Sequence, residues 1–287
     1  MSKPWVTGFH DTSTGTVTYV VADRIQRRAA VIDPVWDFEP TSGRFSTASV
    51  DLVCAFLERE RLTLDWILET HVHADHLSAA QILKDRFRAP VGIGQRVFVV
   101  QRAFAALYGI EAEIPADGSQ FDRLFDDGET FSIGGLEARV LHTPGHTPAC
   151  ITFIVGDAAF VGDTLFMPDS GTARCDFPGG DARALYRSIL RILSLPAETR
   201  IFVGHDYGGN GRDVAWEASV AEQQSGNIHV GAGQDEDTFV RIREERDRTL
   251  EAPTLILPAL QVNIRAGALP EPAANGIVYL KIPLNRL

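Results

Sequence analysis

The sequence predicts an α/β protein made of two halves, each a sheet carrying helices, packed sheet against sheet so that four layers result. Two observations carry that expectation. Strand-like segments followed by helical ones occur twice along the chain, and ligand-type residues recur just beyond strand ends. At 287 residues the chain is long enough to bury a substantial core, and 45% hydrophobic with 23% charged residues is ordinary for a globular protein. One domain over residues 1–287 accommodates the whole pattern.

The elements follow in order. Thr16-Val17-Thr18-Tyr19-Val20-Val21 is β-branched and aromatic, and Ala29 to Pro34 is a short apolar run closed by proline, so both read as strands. From Ser49 the period changes, and Leu52, Val53, Phe56 and Leu57 form one helical face. Leu64 to Thr70 is a strand running into His71; His76–Phe87 and Arg96–Tyr108 read as helices. The second block has strands at Glu129–Ile133, Leu136–His142, Cys150–Val155 and Ala158–Val161, parted by Gly- and Asp-containing turns. An amphipathic helix follows Asp181, its expected N-cap, with Leu185, Ile189, Ile192 and Leu193 on one face. Arg200–Val203 is a further strand, Asp237–Leu250 a charged helix whose Arg241–Arg248 stretch is expected to be solvated, and Pro258–Arg265 leads to a last apolar segment.

Charge and composition exclude several classes. A formal charge of −11 argues against a nucleic-acid partner, which would need a basic surface. No apolar run reaches the length of a membrane span, and Met1 to Trp5 lack the apolar core of a secretory signal. Three cysteines, Cys54, Cys150 and Cys175, are odd in number and far apart, which fits a reducing compartment. A cytoplasmic protein is expected.

The chemistry lies in the histidines. Of eight, only His10 and His229 stand outside clusters. His71-Val72-His73-Ala74-Asp75-His76 packs four candidate ligands directly after a strand. In extended backbone alternate side chains share a face, so His71 and His73 are expected to converge on one position while Asp75 and His76 face a second. The strand-end pattern recurs at Pro144-Gly145-His146, at Gly162-Asp163 and at Gly204-His205, with glycine allowing the tight turn that projects each side chain into a shared cleft. Imidazole and carboxylate suit zinc, iron or manganese, and the absence of thiolates disfavours a structural zinc site. A single such histidine is more often structural; the recurrence points to a catalytic metal site. His142 stays open between an outer-shell donor and a plain structural histidine.

In order and spacing, His-x-His-x-Asp-His, Pro-Gly-His, Gly-Asp and Gly-His resemble the metallo-β-lactamase superfamily over roughly residues 5–250. The family implies an αββα four-layer sandwich with the metal at the edge between the sheets. A narrower resemblance is to the persulfide dioxygenases, the ethylmalonic-encephalopathy-protein-like family, and within it to a bacterial branch. It rests on the opening segment through Val35, on Glu69 to His76, on Arg174-Cys175-Asp176-Phe177 and on His205-Asp206-Tyr207. The stretch from Phe166 to Gly180 is slightly longer than in the mitochondrial branch.

That resemblance implies one Fe(2+) per chain held by His71, His146 and Asp163, with open positions for a persulfide and O2. It makes His73, Asp75, His76 and His205 catalytic groups around the ion, and Arg174 and Tyr207 substrate-binding residues. The implied partners are glutathione persulfide or a similar low-molecular-weight persulfide, O2 and, functionally, a sulfurtransferase; assembly into a homo-oligomer stays open. All seven positions of a dinuclear centre are present, so the alternative is a two-zinc thioester hydrolase of the glyoxalase II type. Against it, the tail beyond His205 carries no basic helical domain for glutathione. A non-catalytic binding module would not need every ligand intact.

Overall fold

A computed structural model describes residues 3–286. The first sheet begins with Trp5–His10 (β1), Val17–Asp23 (β2) and Arg28–Ile32 (β3). A hairpin, Val35–Glu39 (β4) and Arg44–Ser46 (β5), follows, and then helix Ala48–Arg59 (α1) and strand Thr63–Leu68 (β6). Next come Leu77–Ser78 (β7), helix Ala80–Phe87 (α2), Val91–Gly94 (β8), helix Val97–Tyr108 (α3) and Arg123–Phe125 (β9). The second half holds Thr130–Ile133 (β10), Leu136–His142 (β11), Ile151–Val155 (β12), Ala158–Phe160 (β13), helix Ala182–Leu193 (α4), Arg200–Phe202 (β14) and Glu217–Ser219 (β15). Helices Val220–Gly226 (α5), Glu236–Asp247 (α6) and Ile256–Asn263 (α7) complete it.

Two six-stranded sheets result, ordered β1-β2-β3-β6-β8-β9 and β10-β11-β12-β13-β14-β15, with a small β5-β4-β7 sheet beside them. Alternation along the strands explains the stacking. In β2 and β3, Val20, Ala22 and Val31 face outward onto Leu57 of α1, Leu83 of α2 and Val100 of α3. Their neighbours Tyr19, Val21, Ala30 and Ile32 face inward onto Val140, Phe153 and Phe160 of the second sheet. That sheet's other face, Ala159 and Ile201, packs on Leu185, Ile189 and Ile192 of α4. The four layers are those the sequence predicted. Each fully buried Val, Leu, Ile or Phe contributes about 1.5–3 kcal/mol, so a one-residue slip of a central strand would cost several such terms.

Most boundaries fall within a residue or two of expectation, and Asp181 does cap α4, accepting from the Arg183 and Ala184 amides. Two readings are corrected. The helix expected over His76–Phe87 starts only at Ala80, because Leu77 and Ser78 pair with Trp36 and Val35 of the hairpin. The Ser78 amide also donates to Asn263 Oδ1, which holds it away from the helix. The stretch Arg241–Arg248 is not simply a solvated face either: Arg243 is 1% exposed and Asp247 6%, paired with each other one turn apart inside the fold. Among the described residues no helix is long and apolar enough to cross a membrane. All three cysteines are buried and unbridged.

Candidate metal centre

The ligand-type residues meet where the two sheets touch. The Ile151 amide donates to the Thr70 carbonyl, the Val17 amide to the Gly204 carbonyl, and Thr16 bridges to His205. These contacts draw the ends of β6, β11, β13 and β14 onto one spot, so residues far apart in sequence share a cleft. Two glycines are required by close approach. A side chain on Gly162 (φ +50°) would meet Thr70 Oγ1 at 2.5 Å, and one on Gly204 would meet Asp163 Oδ1 at 2.6 Å.

His71, His146 and Asp163 offer three donor atoms within 4.8 Å of one another, all buried. Both histidine tautomers follow from their partners. Thr70 Oγ1 donates to Asp33 Oδ2 at 2.8 Å, so toward His71 it accepts, and His71 Nδ1 carries the proton across 3.0 Å. His146 Nδ1 lies 2.8 Å from the Arg174 carbonyl, which only accepts, so that nitrogen is protonated too. In each ring the Nε2 lone pair is therefore free, and the two lie 3.9 and 3.8 Å from Asp163 Oδ2. Burial and the neighbouring histidines hold His71 well below the usual imidazole pKa, in the neutral form a metal requires.

A second triad, His73, Asp75 and His205, abuts the first. His205 Nε2 is 3.2 Å from Asp75 Oδ2 and 3.2 Å from Asp163 Oδ1, so Asp163 turns one oxygen toward each triad. Burial works against the Asp75 charge, but His205 and His76 hold its pKa well below the carboxylate range. His76 Nδ1 faces Thr16 Oγ1 and Asp75 Oδ2 at 3.3 and 3.4 Å. His71 and His73 come together as expected, ring centroids 4.0 Å apart, but residues 71–76 are bends and irregular backbone rather than strand, and the triad with His146 and Asp163 takes only His71.

His73 belongs also to a third cluster, with Asp33 and Glu69, all buried. Its Nε2 sits 3.0 Å from Asp33 Oδ1 and 3.4 Å from Glu69 Oε2, close enough for charge attraction but not aligned as hydrogen bonds. Burial lowers the His73 pKa, yet the two carboxylates outweigh it and raise it well above the usual value. Glu69 is itself raised by burial and accepts from Ser78 Oγ, and Asp33 accepts from the Thr70 amide at 2.7 Å.

Whether these groups suit a metal is tested by their unmet bonding. Among the described residues, eight buried side-chain atoms lack a hydrogen-bond partner; seven are Glu69 Oε2, His71 Nε2, both ring nitrogens of His73, His76 Nε2, Asp163 Oδ1 and His205 Nε2. Leaving one buried polar atom unsatisfied costs about 1–3 kcal/mol, so so many around one point call for a cation or ordered water. The donor set fits a metal ion.

The Arg174 guanidinium is already engaged: Nε and Nη2 donate to the two Asp176 oxygens at 2.6 and 2.7 Å, and Nη1 to the Glu251 carbonyl at 2.6 Å. The Arg174 backbone carbonyl is what meets the centre, at His146 Nδ1. Tyr207 is 69% exposed, its ring parallel to His205 at 6.2 Å. With Asp75 it lines a cleft of about 770 Å³ whose other wall is the β4–β5 hairpin. His142 donates to the Pro148 carbonyl, so it is structural. Sequence reading missed Asp33, Thr70 and Thr16, and also Asn263, which clamps the His73 and His76 carbonyls from α7. Proline beside Asp33 and the threonine before His71 were visible signals; nothing in the sequence ties residue 263 to the loop.

The model of the family described as "Metallo-beta-lactamase superfamily" matches residues 12–205. The chain is 55% identical over all of its length to a "Beta-lactamase hydrolase-like protein" of Xylella fastidiosa, spanning 66% of that protein. It is 29% identical to human "Persulfide dioxygenase ETHE1, mitochondrial", over 88% of this chain and 84% of that one. The crystal structure of ETHE1 from Myxococcus xanthus superposes with a TM-score of 0.74 at 31% identity, covering 92% of this chain and 100% of that one.

Proposed function

We propose that this chain, which belongs to the metallo-beta-lactamase superfamily, oxidises a low-molecular-weight persulfide such as glutathione persulfide at one ferrous ion held by His71, His146 and Asp163. The carrying observation is the fixed tautomers of His71 and His146, which aim two free Nε2 lone pairs at Asp163 Oδ2. Two imidazoles and one carboxylate are the donor set of non-haem iron oxygenases. The reaction balances as RSSH + O2 + H2O → RSH + sulfite + 2 H⁺: the outer sulfur is oxidised, O2 is reduced, and the S–S bond breaks with the parent thiol leaving. The iron would supply open coordination positions where the sulfur and O2 meet.

The chain's own groups then have distinct tasks. Thr70 and the Arg174 carbonyl orient the two histidine ligands. His205 Nε2, with carboxylate oxygens 3.2 Å away on either side, is placed to take a proton from the reacting persulfide. Tyr207 stands at the mouth of the cleft, its ring lying on Gly15, where a side chain would come within 2.4 Å of it.

A second reading is a dinuclear thioester hydrolase. It is favoured by the reach of Asp163 into both triads and by the hydrolase-like name of the Xylella relative. Metal analysis beside an oxygen electrode separates the two. About one iron per chain, with oxygen uptake and sulfite release on adding glutathione persulfide, supports the dioxygenase. Two zinc ions with rapid anaerobic hydrolysis of lactoylglutathione refutes it.

A further inference from the structure

The 770 Å³ cleft beside Asp75 and Tyr207 opens between the metal-ligand cluster and the β4–β5 hairpin. Its outer wall is the β4–β5 hairpin, where Trp36 stacks on Phe45 with ring centroids 4.4 Å apart and Phe38 lies 5.0 Å from Phe45. The rim carries the acids Asp11, Asp37 and Glu39, and each carboxylate accepts hydrogen bonds within the fold. Asp11 accepts from the Thr14 amide and hydroxyl, Asp37 from the Ser49 amide and hydroxyl, and Glu39 from the Thr41 and Ser42 amides. The single cation among the described lining residues is Arg44. It stands opposite Glu39 in the strand register, yet among the described residues its guanidinium makes no ion pair or hydrogen bond. Every other charged group on this wall has a partner in the fold. Arg44 has none.

Resting on the persulfide reading, we propose that Arg44 recognises a carboxylate on the thiol carrier, whose organic part lies along the Trp36–Phe45 wall. A guanidinium offers a planar donor fork that matches a carboxylate through two parallel bonds. The aromatic wall covers the carrier's apolar atoms, and the sulfur end points inward past Tyr207 to the metal ligands. Arg174, the arginine the sequence pattern suggests for this task, is held by Asp176 and backbone carbonyls. Arg44 lies in a hairpin with no counterpart among the metal-binding motifs, so motif reading passes over it.

The test is binding, so that it stands apart from turnover. Anaerobic titration calorimetry on the metal-loaded full chain would compare glutathione with its dimethyl ester, in which both carboxylates are masked. Wild type should bind glutathione about tenfold more tightly than the ester. Arg44→Ala should remove that difference at unchanged metal content, and Arg44→Lys should keep part of it. Equal affinity of wild type for the two ligands, no binding of glutathione at millimolar concentration, or an Arg44→Ala chain that binds glutathione as wild type does, would each overturn the proposal. If the binding pattern appears but glutathione persulfide causes no oxygen uptake, the dioxygenase reading fails while the assignment of Arg44 stands.

Discussion

Asp247→Asn tests whether a helix far from the metal in sequence sets the geometry of a ligand. Arg243 and Asp247 form a buried pair on α6, with Nε and Nη2 at 2.9 and 2.7 Å from Asp247 Oδ1. Both reach out to the loop between Asp163 and α4: Arg243 Nη1 donates to the Thr172 carbonyl at 2.8 Å, and Asp247 Oδ2 accepts from the Cys175 amide at 2.9 Å. Between those two anchors lies Arg174, whose carbonyl fixes the His146 tautomer. The substitution leaves a guanidinium buried without its counter-charge, which costs about 3–5 kcal/mol. At about 2–4 °C per kcal/mol, Tm should fall by about 6–20 °C. Freed of its anchor, the Arg174 carbonyl should hold His146 less well, and loss of such outer partners typically costs about 10–100-fold in metal affinity. Urea unfolding and competition with a chelator measure the two effects. The double variant Arg243→Met/Asp247→Leu, which restores charge balance, should recover much of the stability but not the metal affinity, because the loop anchors stay absent. Wild-type metal affinity in Asp247→Asn would refute the chain of contacts.

Three further outcomes follow from the same contacts. Thr70→Val removes the hydroxyl that accepts from His71 Nδ1 and donates to Asp33, so metal affinity should drop about 10–100-fold while Thr70→Ser retains it, as read by chelator competition. Gly204→Ala places a methyl 2.6 Å from Asp163 Oδ1 and should yield folded protein with little bound metal, by circular dichroism and metal analysis. His229 has its pKa pushed down from 6.5 to about 4 by burial and by Arg243 and Arg246. Its Nδ1 accepts from the Thr172 amide, so folding requires the neutral ring. Because the folded pKa is the lower one, the unfolded chain binds the extra proton between pH 6.5 and 4, and stability falls as pH falls through that window. From pH 7 to 5 the histidine alone should cost ~2 kcal/mol, and His229→Gln should lose less stability over that step in urea titrations; an equal loss would remove His229 from the account.

Much of this was legible from residue order. The runs from Thr16 to Val21 and from Ala29 to Pro34 announce strands by their β-branched and apolar residues, and the α4 face Leu185, Ile189, Ile192 is buried as its period requires. Ligands placed after strands could be read because the strand end, the glycine and the histidine are adjacent in the chain. What stayed illegible depends on contacts between distant segments. Leu77 and Ser78 carry a helical period, but pairing with the hairpin overrides it. Arg243 looks like its solvated neighbours, since nothing in a charged heptad says which residue turns inward to Thr172. Arg174 sits where a substrate arginine would be expected, and its engagement with Asp176 and residue 251 is visible only once the tail is folded back.

The same limit bears on metal count. The run from His71 to His76 supplies donors for two ions, and a motif cannot tell whether all of them are available. Availability depends on who else competes for each donor. For His71 and His146 the competitors, Thr70 Oγ1 and the Arg174 carbonyl, take the Nδ1 proton and so leave Nε2 free, which favours ligation. For His73 the carboxylates of Asp33 and Glu69 stand beside Nε2 and favour its protonation, which leaves Nδ1, without a partner in the fold, as the ring's free donor. Each of these three histidines is thus held by a partner at one ring nitrogen and presents the other for ligation. Asp33 and Glu69, neither of them a ligand in the motif, therefore act on His73 as Thr70 and the Arg174 carbonyl act on the other two rings: they hold it from behind.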